Sequence, residues 1–127
     1  VGSDACARST EGPTRVGKPH PRAFGTPSRF LGRYVREAKV VSLAEAVRRL
    51  TSLPAERIGL KERGRLQKGY FADVVVFDPE TVADRATFAD PFQYSVGFAH
   101  VFVNGVPVIR AGKHTGARPG RILRRGE

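Results

Sequence analysis

The pair Asn104-Gly105 constrains this chain most, because it stands between two apolar runs at the spacing of a tight β-hairpin. A two-residue hairpin loop favours the type I′ turn, whose twist matches the strands it joins and which needs positive φ at both central positions. Asn and Gly are the residues that accept this backbone most readily. The spacing predicts a hairpin over residues 100–110. Pro107 lacks an N–H, so its strand is expected to lie at a sheet edge or to be locally bulged. A second β-branched run, residues 72–78, is bounded by Gly69 and Pro79 and reads as a buried strand.

Helical signals precede these strands. Ser42 and Glu45 have the spacing of a capping box, in which each side chain serves the other's backbone N–H. Leu43, Ala46, Val47 and Leu50 then recur on one helical face, with Arg48 and Arg49 opposite. Phe30, Leu31, Tyr34 and Val35 mark a further helix over 30–38. Pro54 suits the first position of a short helix through Arg57, and Gly59 its stop. Residues 5–29 are crowded with Gly and Pro and read as a long loop, residues 80–97 as loop with a turn of helix, and 117–127 as a basic tail. The class is therefore mixed α and β. Its helical part gives way to a strand-rich part near residues 59–64.

The net charge of +10 permits nucleic-acid binding or attraction of small anions. The arginines are scattered over predicted helices, strands and loops, however, and no RNA-binding or zinc-finger signature accompanies them. A solvated basic surface is the preferred reading, with a nucleic-acid module as an alternative. No apolar run approaches the roughly 20 residues of a membrane helix. Cys6 is the one cysteine, so no internal disulfide forms and a cytoplasmic location is the default. The chain starts at Val1 and contains no Met, and we expect it to be a portion of a longer protein.

No complete catalytic constellation is spelled out. His20, His100 and His114 stand apart, without a His-x-His or a cysteine pair to build a metal site. Residues 1–4, Val-Gly-Ser-Asp, residues 19–26, Pro-His-Pro-Arg-Ala-Phe-Gly-Thr, and the segments 31–36 and 46–55 nevertheless occur in a telling order. The strand 69–78 follows, then Asp84-Arg85-Ala86-Thr87-Phe88, the turn at 103–105 and residues 115–120. In this combination the chain resembles the C-terminal portion of the N-acyl-D-amino-acid deacylases of the amidohydrolase superfamily. The strand 69–78 alone points only to the superfamily.

The resemblance implies a zinc-bearing TIM-like barrel and a small β-rich domain. Residues 1–60 would close the barrel with its last strand end, catalytic loop and helices. Residues 61–127 would form part of the β-rich domain. Asp4, after the eighth barrel strand, would take a proton from the water that zinc acidifies and return one to the leaving amine. Arg22 would hold the substrate α-carboxylate with its planar fork. His20 would shape the loop. The zinc ligands would lie upstream of this chain, and the chain alone is expected to bind little zinc and to be inactive.

The implied partners are a small N-acyl-D-amino acid and the rest of the barrel, with neither nucleic acid nor membrane. A hydantoinase- or dihydropyrimidinase-type enzyme acting on cyclic amides is the alternative within the superfamily. The segment between Asp4 and Pro19 departs from the pattern: it is longer than in many members and opens with Ala5-Cys6-Ala7-Arg8.

Overall fold

The structure is a computed structural model, and it describes residues 1–126. The elements are α1 (Arg22–Arg29), a π-helical stretch (Phe30–Glu37), α2 (Leu43–Leu50), α3 (Ser52–Ile58) and strands β1 (Val74–Phe77), β2 (Phe98–Val103), β3 (Val106–Arg110) and β4 (Lys113–His114). They group into two units. One joins residues 1–42 to residues 79–97, and the other joins residues 43–78 to the chain from Phe98 on. The mixed helix-and-sheet class expected from the sequence is what the elements show.

In the first unit, α1 corrects the expectation of a loop over 5–29. Gly25 and Pro27 read as breakers, yet both lie inside the helix. A Cβ on Gly25 would stand 2.8 Å from that of Asp84, so this glycine supplies space for close packing. Pro27 cannot donate to the helical ladder. The Phe30 N–H reaches both the Thr26 and Pro27 carbonyls, and the backbone then widens into π-helical bonding, with Ala38 N–H donating to Arg33 O at 2.8 Å. Helix was expected at 30–38, but not this wider form. Leu31 and Gly32 form its buried face.

Val82 is fully buried beside it, and the Arg36 guanidinium donates to the Val82 and Pro79 carbonyls at 2.7 and 3.0 Å. Residues 80–97 hold no helix. They are instead closed by an antiparallel bridge between Ala83 and Val96. The short 3₁₀ turn Gly12–Thr14 is the only helical element of the loop before α1.

In the second unit, α2 begins directly after Ser42, and Ala46 on its apolar face is fully buried. α3 opens two residues before Pro54 and ends at Gly59, which has φ +80°. The four strands form an antiparallel sheet in sequence order. Asn104 and Gly105 both adopt positive φ, +49° and +80°, as the I′ turn requires. Pro107 lies at a register shift between β2 and β3, the expected bulge, although β3 is an inner strand. β1 corrects the expectation of a buried strand, since Val75 and Val76 are 51% and 44% exposed. β1 is an edge strand, paired only to β2.

Beside the buried Ala46 and Ala55, this unit holds a polar cluster around the buried Arg63. Arg63 pairs with Asp73, donates to Asn104 Oδ1 at 2.7 Å and lies 4.1 Å over the Phe71 ring. Asn104 Nδ2 in turn donates to Pro119 O, which fastens the tail to the hairpin turn. No helix among the described residues is long and apolar enough to cross a membrane.

Candidate active site

Asp4 has φ +49°, the left-handed region that few residues other than glycine enter. Asp tolerates it through its short polar side chain. Non-glycine residues held there tend to cluster at functional sites.

The second residue, Arg22, is fixed through its backbone. Its N–H donates to His20 Nδ1 at 3.0 Å, and its carbonyl accepts from Thr26 Oγ1 at 2.9 Å. The His20 ring stands edge-on to Phe88, with centroids 4.8 Å apart. His20 thus sets the start of α1 through its ring nitrogen, in keeping with a loop-shaping role. From that start the Arg22 guanidinium reaches Asp4, with Nη2 to Oδ2 at 2.9 Å. The two candidate residues, 18 positions apart in the sequence, therefore meet as one ion pair.

They line an open cleft of about 420 Å³ together with Cys6, Arg8 and His20. Cys6 is a free, exposed thiol. A second cleft of about 460 Å³ shares His20 and Arg22 and is closed by Arg29, Asp84 and Phe88. Arg29 pairs with Asp84 at 3.1 Å, and this hydrogen bond, with the carboxylate's charge, raises the Arg29 pKa further.

Sequence reasoning missed two contributors. Arg8 lies in the segment read only as loop, and Tyr94 binds that loop through Ser9 and Thr10 across more than 80 residues. No local pattern announces a contact of that separation.

Among the described residues no group of three or more His, Cys, Asp or Glu side chains could hold a metal ion. Each imidazole Nδ1 is instead placed on a backbone N–H: His20 on Arg22, His100 on Ala111 and His114 on Gly116. As they stand, these residues do not make a zinc site.

The chain matches the description "Amidohydrolase family" over residues 12–109. It is 49% identical over 122 residues to the N-acyl-D-glutamate deacylase of Alcaligenes xylosoxydans xylosoxydans, a match covering 96% of this chain and 25% of that protein. The D-aminoacylase of the same organism is 48% identical, with 90% and 25% covered.

Among solved structures, D-aminoacylase superposes with a TM-score of 0.82 at 48% identity, covering 85% of this chain and 23% of that one. The N-acyl-D-glutamate deacylase of Bordetella bronchiseptica, solved with zinc and a phosphonate mimic of the tetrahedral intermediate, superposes with a TM-score of 0.78 at 55% identity, covering 84% and 22%. The chain thus spans about a quarter of the length of the curated relatives it matches. The family match extends over most of the chain and takes in Arg22 and strands β1 and β2, and on that ground the chain belongs to the amidohydrolase family.

Proposed function

We propose that this chain serves a hydrolase that removes the acyl group from N-acyl-D-amino acids, with Asp4 carrying protons and Arg22 holding the substrate α-carboxylate. The observation that carries this reading is the Asp4–Arg22 pair in one open cleft. A guanidinium that pairs with the Asp4 carboxylate can pair with a substrate carboxylate in its place. Both partners are solvent-exposed, so their mutual attraction is worth at most about 1 kcal/mol and is readily exchanged. A substrate carboxylate that takes Arg22 frees Asp4 to accept a proton from the attacking water. Asp4 then returns a proton to the departing amine, as general acid–base chemistry requires.

Zinc supports the same reading, since the Bordetella relative was solved with it and D-aminoacylase is described with a binuclear metal centre. When bound, zinc acidifies the attacking water. Its ligands would come from outside the described residues, and the chain alone would be inactive.

The assignment of residues 1–60 to the end of a TIM-like barrel and of 61–127 to a small β-rich domain belongs to this proposal. So do the rest of the barrel as partner, the absence of nucleic-acid and membrane partners, and a cytoplasmic location. Neither cyclic-amide hydrolysis nor nucleic-acid binding gains support from the site or from these relatives.

The test is hydrolysis of N-acetyl-D- and N-acetyl-L-amino acids by the intact zinc-loaded protein, with and without Arg22→Ala. Selective release of the D-amino acid is expected, with kcat/KM falling in the variant by about 1.5–3 kcal/mol, the scale of a charge-assisted hydrogen bond. A fall below about threefold in kcat/KM removes the role of Arg22. Turnover of a hydantoin with no action on acyl amino acids replaces the substrate class.

A further inference from the structure

Arg22 opens α1, and its backbone N–H is one of the donors that a helix start leaves without an intrahelical partner. The His20 Nδ1 takes that N–H at 3.0 Å. His20 stands between Pro19 and Pro21, whose rings fix their own φ and restrict the residue before Pro21. The backbone here is therefore stiff, while the imidazole can still turn about its side-chain bonds. His20 is exposed, and water competes for its nitrogen. A second contact is needed to hold the ring in the orientation that serves Arg22.

Phe88 supplies that contact. Its ring meets the imidazole edge-on, with centroids 4.8 Å apart and planes at 80°, an arrangement that aromatic pairs favour. Phe88 is 71% exposed, so its ring adds little to the core. The segment that carries it is nevertheless fixed. The Thr87 N–H donates to Asp90 O at 3.0 Å and the Asp90 N–H to Thr87 Oγ1 at 2.9 Å, which closes a turn over Phe88. Ala86, on its other side, is buried. Asp84 lies against α1 at the close approach that Gly25 allows, and it pairs with Arg29 of the same helix at 3.1 Å. The ring on which His20 leans is thus tied to the helix whose first residue is Arg22.

We propose that Phe88 is a positioning residue for Arg22: it holds the His20 ring on the Arg22 N–H and so sets the guanidinium where it meets a carboxylate. This rests on the deacylase reading, with Arg22 on the substrate α-carboxylate. Phe88 acts through His20, and no contact of its own with the reacting atoms is required.

The test measures kcat and KM of the intact zinc-loaded protein on N-acetyl-D-glutamate and N-acetyl-D-leucine. Phe88→Ala and Phe88→Leu should each raise KM about threefold to tenfold, the scale of one aromatic pair, with kcat changed less. Phe88→Tyr keeps the ring and should keep KM. KM is read from active molecules alone, so partial unfolding does not imitate the effect. His20→Asn supplies the decisive background. An Asn side chain can accept the N–H two residues on without an aromatic neighbour, so Phe88→Ala should have no further effect on KM there.

An unchanged KM in Phe88→Ala and Phe88→Leu, a KM in Phe88→Tyr as high as in Phe88→Ala, or a rise of the same size in the His20→Asn background would each overturn the role of Phe88 and leave the deacylase reading standing. Loss of the fold in both Phe88→Ala and Phe88→Leu would do the same, since the ring would then be a stabilising contact and no more. Failure of the unmodified protein to release a D-amino acid from either substrate would instead remove the deacylase reading, and this inference with it.

Discussion

Arg22 Nη2 and Asp4 Oδ2 lie 2.9 Å apart, and the Asp4 side chain is 90% exposed. Asp4 is thus held by its strained backbone and one guanidinium, with most of its carboxylate open to the cleft. This arrangement leaves the carboxylate available for proton transfer. Asn at this position keeps the shape and, like Asp, tolerates the left-handed backbone. Asp4→Asn in the intact protein is therefore expected to fold normally, while kcat falls by about 10²–10⁴, the usual contribution of a general acid–base group. Steady-state kinetics beside a thermal melt checks this. A kcat within a few-fold of the parent would take proton transfer away from Asp4.

Gly97 packs directly against the Val82 backbone in the first unit. Its φ is +85°, and a Cβ there would stand 2.4 Å from Val82 Cα and 2.5 Å from Val82 N. Val82 is fully buried, and the contact is with backbone, so no side chain can swing away. Gly97→Ala adds a left-handed penalty of about 1–2 kcal/mol to this collision. A loss of about 3 kcal/mol or more is expected in denaturant unfolding, placing the change among the rare severe ones. A loss under about 1 kcal/mol would show that the Val82 backbone can yield.

The hairpin and α2 were legible because their determinants are local. Asn104-Gly105 sets its own turn, and the Leu43, Ala46, Val47, Leu50 spacing sets its own face. α1 was not legible, because Gly25 answers to the nearness of Asp84, more than 50 residues on. The exposure of β1 was hidden for a similar reason: a β-branched run does not reveal whether its strand sits at an edge. At the candidate site, Asp4 and Arg22 were found through resemblance alone. Their pairing, and the Tyr94 anchor of the loop, depend on how the chain returns on itself.

Arg63 supplies a further test in the second unit. Its side chain is 8% exposed, and it binds Asp73 and Asn104 while stacking on Phe71. The opposite charge of Asp73 and the aromatic face together compensate a guanidinium that would otherwise be buried at a loss. Arg121 lies 4.4 Å from the same ring, so the tail shares this anchor. Arg63→Ala leaves Asp73 without its cation and the ring uncovered. A destabilisation of about 2–4 kcal/mol is expected, together with earlier proteolysis of the segment after Pro119. Unfolding in denaturant and timed proteolysis check both parts. A variant as stable as its parent would mean that water replaces the pairing without loss.

Glu45 gives the pH dependence. Its carboxylate accepts from Arg48 Nε at 2.7 Å and Nη2 at 3.0 Å, and from Arg49 Nε at 2.7 Å, pairs spaced i,i+3 and i,i+4 on α2. The hydrogen bonds from Arg48, then Arg49, lower its pKa from 4.5 to about 2. A carboxylate with a depressed folded pKa stabilises the fold above the unfolded value, and the contribution disappears as pH falls through the folded one. The stabilisation is therefore complete above about pH 4.5 and fades toward about pH 2. Glu45→Gln, which cannot ionise, should melt below the parent at neutral pH, and the gap should close across that window. These are surface pairs, so the gap should also narrow with added salt. The measurement is a series of paired melts from neutral to acid pH, repeated in about 1 M salt. A gap that stays constant down the series would mean that Glu45 supports α2 without its charge.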